Sequence, residues 1–423
     1  MLNKIIFKNN LRLITKQLIG SKSLTVLILV GAGSRYETQE SNGISHFLEH
    51  MFFKGAKKYQ NAREVSEAID SVGGEFNAFT GKQYAGYFVK VSSDKLDVAL
   101  DVLSDMLINS RFNEDDMNRE REVILEEYKM YQDTPSYQIG WDFERLLYGK
   151  QPMGNDQLGT PEFLKKVSRE DLISYHQKLY TPDNTVISIV GDVNQSVSKN
   201  LVEKLFIFKN PQKAFNYFPL EVNHSKEKVI LRKKYTKQGH VVIGFPGYSE
   251  TDHRSIWLKI LAMILGGNMS SRMFLGVRER KGLAYNICTT TDDYTDTGII
   301  STRAGIDTDR VDEAISAMIF EYKNLKENGV SSFELEKAKS CLKGKILLRL
   351  EDTEEFAHLL GKFELLYGQY KNPEEILSDI DRVTMDDINT MIKEILAEEK
   401  MKAAIIGPFE EEQKDRFEEA IRW

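Results

Sequence analysis

The sequence predicts an α+β fold made of two homologous α/β halves, each with a mixed or antiparallel sheet flanked by helices. The first observation is length, because 423 residues are too many for one ordinary hydrophobic core. The second is a group of elements that recurs about half a chain later. The third is that both halves combine β-rich apolar runs with amphipathic helical runs.

The recurring group is a capped helix followed by a strand. "VSREDLISYHQKLY" predicts a helix with Ser168 at its N-cap, and "TVISIVGDV" predicts a strand that stops at Gly191. In the second half, "VTMDDINTMIKEIL" has Thr384 at the N-cap, and "MKAAIIGPF" predicts a strand that stops at Gly407. Both pairs of landmarks lie 216 positions apart, so the order and the spacing of the elements are kept.

The predicted domains follow from this repeat. Residues 1–210 form an N-terminal half, residues 228–423 form a homologous C-terminal half, and residues 211–227 form a linker with two prolines and little periodicity. Strand runs such as "SLTVLILVGAG" and "GHVVIGFPG" and helix runs such as "KLDVALDVLSDMLINS" fill the halves. The order of the strands in each sheet cannot be read from one sequence.

The N-terminus and the composition exclude several classes of protein. "MLNKIIFKNNLRLITKQL" alternates apolar and polar residues as one first strand and lacks the features of a signal peptide, which predicts a cytoplasmic protein. No apolar run approaches the ~18 residues of a membrane span, so no membrane partner is expected. A net charge of −7 without a basic cluster excludes a nucleic-acid partner and leaves a peptide as the expected one.

The segment "GISHFLEHMFFKG" contains a candidate metal motif. The chain has only seven histidines, and two of them, His46 and His50, lie four residues apart with Glu49 just before the second. On a helix these three side chains share a face over about 6 Å. Two imidazoles at this spacing can hold one zinc ion, and Glu49 can accept a proton from the attacking water, which is the inverted order H-x-x-E-H.

The alternative interpretation is a pair of core histidines. The repeat argues against it, because aligning Gly55 with Gly267 places plain apolar residues opposite the three polar ones, namely Leu258, Leu261 and Ala262. Packing alone is therefore satisfied by apolar side chains, and the polar set in the first half indicates a function.

A catalytic zinc site needs a third protein ligand. The helix predicted over "NREREVILEEYKMYQDTP" offers Glu120 and Glu127 on one face, whereas Glu126 points about 100° away from Glu127. The periodicity leaves open which of these glutamates completes the site.

These motifs together resemble the pitrilysin and mitochondrial processing peptidase family of zinc peptidases, particularly its bacterial processing-peptidase-like members. The family pattern E-R-x-V-I-x-x-E falls on "EREVILEE". The resemblance implies that Glu127 is the third ligand and that Glu120 orients the site. It also implies one zinc ion per chain and two halves that close like a clam around a peptide chamber.

The resemblance extends to substrate-binding residues. "GGEFNAFTGKQYAGYF" is similar to the family's substrate strand, which implies that Asn77, Ala78 and Phe79 pair with the peptide backbone. "RERKGLAY" implies that Arg278 binds a substrate carbonyl or carboxylate and that Tyr285 donates to the oxyanion. The sequence departs from the family pattern at Gln83 and Ala85, which affects the expected substrate preference.

We therefore expect a zinc-dependent endopeptidase that cuts peptides or unfolded polypeptide segments and acts as a monomer or homodimer. The alternative is a non-catalytic subunit of the same family that binds peptides or serves as a structural core. A site for another divalent metal with a non-proteolytic reaction is disfavoured, because two histidines and one carboxylate are typical of hydrolytic zinc.

Overall fold

Two mixed sheets organise the structure, a computed structural model that describes residues 2–208, 216–223 and 225–423. The strands are β1 (Leu2–Ile6), β2 (Arg12–Gln17), β3 (Ser23–Val30), β4 (Glu75–Thr80), β5 (Ala85–Ser92), β6 (Thr185–Gly191), β7 (Val229–Lys233), β8 (Gln238–Gly247), β9 (Ala284–Asp293), β10 (Gly298–Asp307) and β11 (Lys402–Gly407). The helices of the first part of the chain are α1 (Ile44–Phe52), α2 (Ala62–Asp70), α3 (Leu96–Asn109), α4 (Glu114–Asp133), α5 (Pro135–Tyr148), α6 (Pro161–Leu164), α7 (Arg169–Leu179) and α8 (Gln195–Leu205). Those of the second part are α9 (Ser255–Leu265), α10 (Val311–Asn328), α11 (Ser332–Arg349), α12 (Thr353–Tyr367), α13 (Pro373–Arg382), α14 (Met385–Ile395) and α15 (Lys414–Ala420).

The two sheets share the same order and pairing over five strands. The first has the order β1-β2-β6-β3-β5-β4 and the second the order β7-β11-β8-β10-β9. In the first sheet β2 and β6 are parallel, and in the second β7 and β11 are parallel, while the other neighbours are antiparallel. The second sheet thus repeats the first without β1. The predicted class, two similar α/β halves with mixed sheets, is confirmed.

The described chain packs as two compact units that are not continuous in sequence. The first unit draws on residues 1–129, 155–218 and 347–371, and the second on residues 130–154, 219–346 and 372–423. Helix α5 therefore packs in the second unit, and α12 packs in the first. The predicted halves 1–210 and 228–423 remain an interpretation of the sequence repeat, and residues 211–215 and 224 of the predicted linker lie outside the described residues.

Both faces of the first sheet are covered, which explains the continuous apolar run in β3. One face packs on a cluster that includes Val26 and residues of α1 and α3. On the other face, Leu27 and Leu29 pack against Phe356 and Leu360 of α12. Successive strand residues point to opposite faces, so β3 contributes to both cores.

Sequence signals set several element boundaries correctly. Ser168 and Thr384 each form a capping box with the aspartate three residues later, at the starts of α7 and α14. The N-terminal segment, expected to be one strand, forms the hairpin β1–β2 instead. The reason is Asn10, whose φ of 68° allows the chain to turn back. Among the described residues, none of the helices combines the length and the apolar character needed to cross a bilayer.

Candidate metal centre

Helix α1 carries the H-x-x-E-H residues and is packed against the core. Its apolar side chains are buried, including Phe47, Leu48 and Phe52, each at most 1% exposed. His46 is also buried, and His50 is partly exposed. Because residues four apart lie on one side of a helix, the two imidazoles project together, with ring centroids 4.8 Å apart.

Helix α4 brings a carboxylate to the two imidazoles. Glu127 Oε2 lies 3.6 Å from His46 Nε2 and 3.3 Å from His50 Nε2. One ligand atom from each of these residues lies within 4.8 Å of the others. Across the described ranges, no other set of three or more His, Cys, Asp or Glu side chains converges in this way. The geometry thus selects Glu127 from the candidate glutamates of α4, and Glu126 instead pairs with Lys129 at the surface.

Glu120 holds His50 in the orientation that a metal ligand needs. His50 Nδ1 donates to Glu120 Oε2 at 3.1 Å, and the Lys54 ammonium lies 2.6 Å from Glu120 Oε1. If a metal takes the place of the proton on Nε2, the proton held on Nδ1 leaves the lone pair of Nε2 directed at the cluster. Such carboxylate–histidine pairs are usual around protein-bound zinc. The donor set of two imidazole nitrogens and one carboxylate oxygen therefore fits zinc.

The charges of the cluster favour a cation. Burial disfavours the charged form of His50, but hydrogen bonds to Glu120 and Glu127 outweigh burial and raise the pKa of His50 to about 9. Burial, together with the charge of His50, lowers the pKa of His46 to about 4. The hydrogen bond from His50 lowers the pKa of Glu127, so that this carboxyl stays ionised. A metal ion at the cluster would replace the proton on His50 Nε2.

Glu49 lies beside the cluster and is held by the neighbouring strand. The hydroxyl of Thr80, at the end of β4, donates to Glu49 Oε2 at 2.5 Å. Burial raises the pKa of Glu49, and the Thr80 hydrogen bond partly offsets this effect. A carboxylate of raised basicity next to a metal position is suited to accept a proton from water.

Glu37 anchors the start of α1, which the sequence reasoning missed. Its fully buried carboxylate accepts the backbone N–H groups of Gly43 at 2.8 Å and Ser45 at 3.0 Å. Gly43 has a φ of 109°, and a side chain there would collide with Leu158 and Gly159. The available signals were an acidic residue just before the motif and the "LGT" segment at Leu158, but neither has a periodic relation to α1.

The predicted substrate residues lie on β4, an edge strand. Asn77, Ala78 and Phe79 belong to this strand, and among the described strands β4 pairs only with β5. The Ala78 N–H donates to the side chain of Asn77 at 2.9 Å. Edge strands carry backbone groups that can pair with a further strand.

Arg278 and Tyr285 belong to the second unit, whereas the metal cluster belongs to the first. Arg278 lies in a π-helical turn, Phe274–Glu279, with its guanidinium 4.7 Å from the ring centre of Phe274. Tyr285 is the second residue of the edge strand β9 and is 77% exposed.

The second unit has an apolar counterpart of α1. In α9, Leu258 and Leu261 are fully buried and Ala262 is 2% exposed, as the sequence repeat predicts. The departures from the family pattern, Gln83 and Ala85, are 3% and 0% exposed. They can therefore affect a peptide only through their neighbours.

Comparisons with known proteins identify the family. Residues 12–160 match the family described as "Insulinase (Peptidase family M16)", and residues 166–342 match "Peptidase M16 inactive domain". The uncharacterised zinc protease YmxG of Bacillus subtilis is 37% identical over 410 residues, covering 96% of this chain and 98% of its own. An uncharacterised zinc protease of Streptomyces coelicolor is 33% identical over 417 residues, covering 97% of this chain and 90% of its own. The chain therefore belongs to the M16 peptidase family, which confirms the resemblance seen in the sequence.

Solved structures show the same fold. A protease from Helicobacter pylori matches with a TM-score of 0.90 at 21% identity, covering 96% of this chain and 99% of that one. A peptidase M16 inactive domain from Pseudomonas fluorescens matches with a TM-score of 0.89 at 17% identity, covering 97% and 98%. At these identities the matches support the fold alone.

Proposed function

We propose that this protein is a zinc-dependent endopeptidase that hydrolyses peptides or unfolded polypeptide segments. The observation that carries the proposal is the convergence of His46, His50 and Glu127, with Glu49 beside them. The names of the relatives, zinc proteases, agree with it. One zinc ion per chain matches the single three-ligand group in the described residues.

The residues of the cluster have separate roles in this proposal. His46 Nε2, His50 Nε2 and Glu127 would hold the metal, and Glu120 would fix His50. When bound, zinc supplies a Lewis acid that makes water a better nucleophile at neutral pH. Glu49 accepts the proton of the attacking water and passes it to the leaving amine. Thr80 keeps one oxygen of Glu49 occupied and so orients the other.

The substrate would bind as an added strand on β4. Asn77, Ala78 and Phe79 supply the pairing edge, and main-chain hydrogen bonds would give affinity with little dependence on sequence. Because an unfolded segment can add to a sheet edge and a folded domain cannot, the proposal includes a preference for unstructured substrates.

Arg278 and Tyr285 are proposed to bind the substrate and stabilise the oxyanion, on the basis of the motif "RERKGLAY". The closing of the two halves around a substrate, the monomeric or homodimeric state and the cytoplasmic location stay predictions. If Tyr285 is an oxyanion donor, Tyr285→Phe should lower kcat by about 10²-fold with a smaller change in KM. An unchanged kcat would exclude this role.

Metal content and turnover together test the proposal. The purified chain should contain about one zinc by elemental analysis, and His46→Ala should lose it. Glu49→Gln should keep the metal but reduce peptide hydrolysis by about 10²-fold or more. A metal-loaded wild type that binds peptides without cleaving them would instead support the non-catalytic subunit.

A further inference from the structure

Three aromatic side chains meet on the face of β4 that is turned away from the metal cluster. Phe79 of β4, Tyr84 of the following turn and His358 of α12 contact one another. The ring centroids are 5.7 Å apart for Phe79 and His358, 6.0 Å for Phe79 and Tyr84, and 5.6 Å for Tyr84 and His358. The Tyr84 hydroxyl and His358 Nε2 are 3.1 Å apart and share a hydrogen bond.

Successive side chains of β4 point to opposite faces, so this aromatic group and the metal cluster lie on different faces of the strand. Thr80 contacts Glu49, and the ring of Phe76 lies 5.7 Å from that of Phe53, so Phe76 and Thr80 face α1. Phe79 packs instead with the cluster that includes Phe356 and Leu360 of α12. Neighbouring side chains of β4 thus lie against two different surfaces, one at α1 and one at α12.

A peptide strand paired with β4 would meet both surfaces in turn. Residues directly opposite each other on paired strands place their side chains on the same face. The peptide residue opposite Phe79 would therefore extend its side chain toward Tyr84 and His358, and the next residue would extend its side chain toward the metal face. Phe79, Tyr84 and His358 are each only partly buried, so their rings are accessible to such a side chain.

We propose that Phe79, Tyr84 and His358 form a specificity site for one aromatic side chain of the bound peptide. The proposal deepens the proposed function and rests on its pairing of substrate with β4. Edge-to-face contacts, such as those at interplanar angles of 86° and 62° within the group, favour a further aromatic ring over an aliphatic side chain. Because His358 comes from the second half of the sequence, that half contributes to selection at the edge strand of the first unit.

Peptide binding to the full-length Glu49→Gln protein tests the site without turnover. Fluorescently labelled, alanine- and threonine-rich peptides would carry one phenylalanine at successive positions, and fluorescence anisotropy would give Kd. Phenylalanine at one position should tighten binding about fivefold over alanine, the size expected for added aromatic contacts. Adding His358→Ala should abolish this preference, and His358→Phe should keep it. His253→Ala, at a histidine whose side chain is 77% exposed, is the matched control and should change nothing.

The ratio of the Kd values for the phenylalanine and alanine peptides distinguishes peptide recognition by the three rings from a purely structural role. If His358→Ala weakens phenylalanine and alanine peptides equally, the three rings only attach α12 to the sheet and the proposal is wrong. A preference for lysine or arginine at that position, or no measurable binding of any peptide, would also overturn it. Should His358→Ala fail to fold, Phe79→Leu tests the same preference. Hydrolysis of the same peptides by the wild type tests the peptidase function separately, because the affinity ratio does not depend on turnover.

Discussion

At the residue scale, the position of α1 depends on Glu37, a buried carboxylate outside the H-x-x-E-H motif. We expect Glu37→Ala to leave the N–H groups of Gly43 and Ser45 without their acceptor. Each unsatisfied buried group costs about 1–3 kcal/mol, so the loss of an acceptor for two groups should lower the free energy of unfolding by about 2–6 kcal/mol. Urea unfolding measures this loss. Glu40→Ala, at an exposed glutamate three residues later, is the control, and an equal loss in both variants would contradict the anchoring role.

Substitutions of Glu120 and Glu126 form a second pair of test and control variants. Glu120→Gln should weaken metal affinity about 10–100-fold, because the amide no longer fixes the His50 tautomer through a charged hydrogen bond. Glu126→Gln should leave the affinity unchanged, since Glu126 pairs with Lys129 at the surface and is not part of the metal cluster. Competition with a zinc chelator of known affinity gives both values. Equal affinities in the two variants would mean that Glu120 does not orient His50.

The sequence alone predicted only part of this site. The spacing of His46 and His50 implied convergence, because a helix fixes the relation between residues four apart. The choice of Glu127 required either the family pattern or the structure, since periodicity also allowed Glu120. Thr80 and Glu37 reach α1 from a strand and a loop, and no local rule relates such positions.

At the element scale, α7 carries a largely buried histidine that should make stability depend on pH. His176 packs among Phe52, Phe112 and Tyr180, and its Nε2–H donates to the Leu107 carbonyl at 2.7 Å. Burial lowers the pKa of His176 to about 4, against 6.5 in the unfolded chain. The unfolded state therefore binds more protons between these values. Stability from this group is complete above about pH 6.5 and is lost as the pH falls toward 4.

His176→Phe should flatten that pH dependence. A pKa shift of this size corresponds to a loss of about 1–3 kcal/mol in the free energy of unfolding between pH 7 and pH 4, allowing for the partial exposure of the His176 ring. Urea unfolding at several pH values would compare the variant with the wild type and with His253→Ala, whose histidine is exposed. The same acid-induced loss in His176→Phe and the wild type would show that other groups account for it.

Element types were predictable where the pattern was strong. The capping residues Ser168 and Thr384 and the strand ends Gly191 and Gly407 were located from sequence, because caps and strand stops are local signals. The β1–β2 hairpin was missed because Asn10 sits in an otherwise alternating run, and alternation continues across a tight turn.

At the scale of the whole molecule, the sequence could not show that α5 packs in the second unit and α12 in the first. An apolar helix face shows that a helix packs, but it does not identify the sheet on which it packs. The repeat gave the order and the spacing of the elements, but not the sheet against which each helix packs. In the structure, the hydroxyls of Thr25 in β3 and Thr353 at the start of α12 lie 2.7 Å apart. Lys4 in β1 also pairs with the buried Glu364 of α12.

The packing of α12 on the first sheet predicts that residues 1–210 cannot fold alone. Without α12, the sheet face would expose five apolar side chains that are now at most 1% exposed, namely Ile14, Leu27, Leu29, Val186 and Val190. Burial of each contributes about 1.5–3 kcal/mol, so the total loss is comparable with the net stability of a whole domain, about 5–15 kcal/mol. The isolated fragment should therefore lack a cooperative urea transition and bind a hydrophobic dye such as ANS.

Residues 216–423 should rescue the fragment, because they carry α12. The two fragments refolded together should copurify, regain a cooperative transition followed by circular dichroism, and bind zinc in a 1:1 ratio to residues 1–210. The same mixture with Leu360→Asp in the second fragment should not recover, since a carboxylate would then replace an apolar side chain against Leu29. If residues 1–210 alone unfold cooperatively and bind zinc as tightly as the intact chain, then α12 is dispensable to the first unit and its packing there has no structural role.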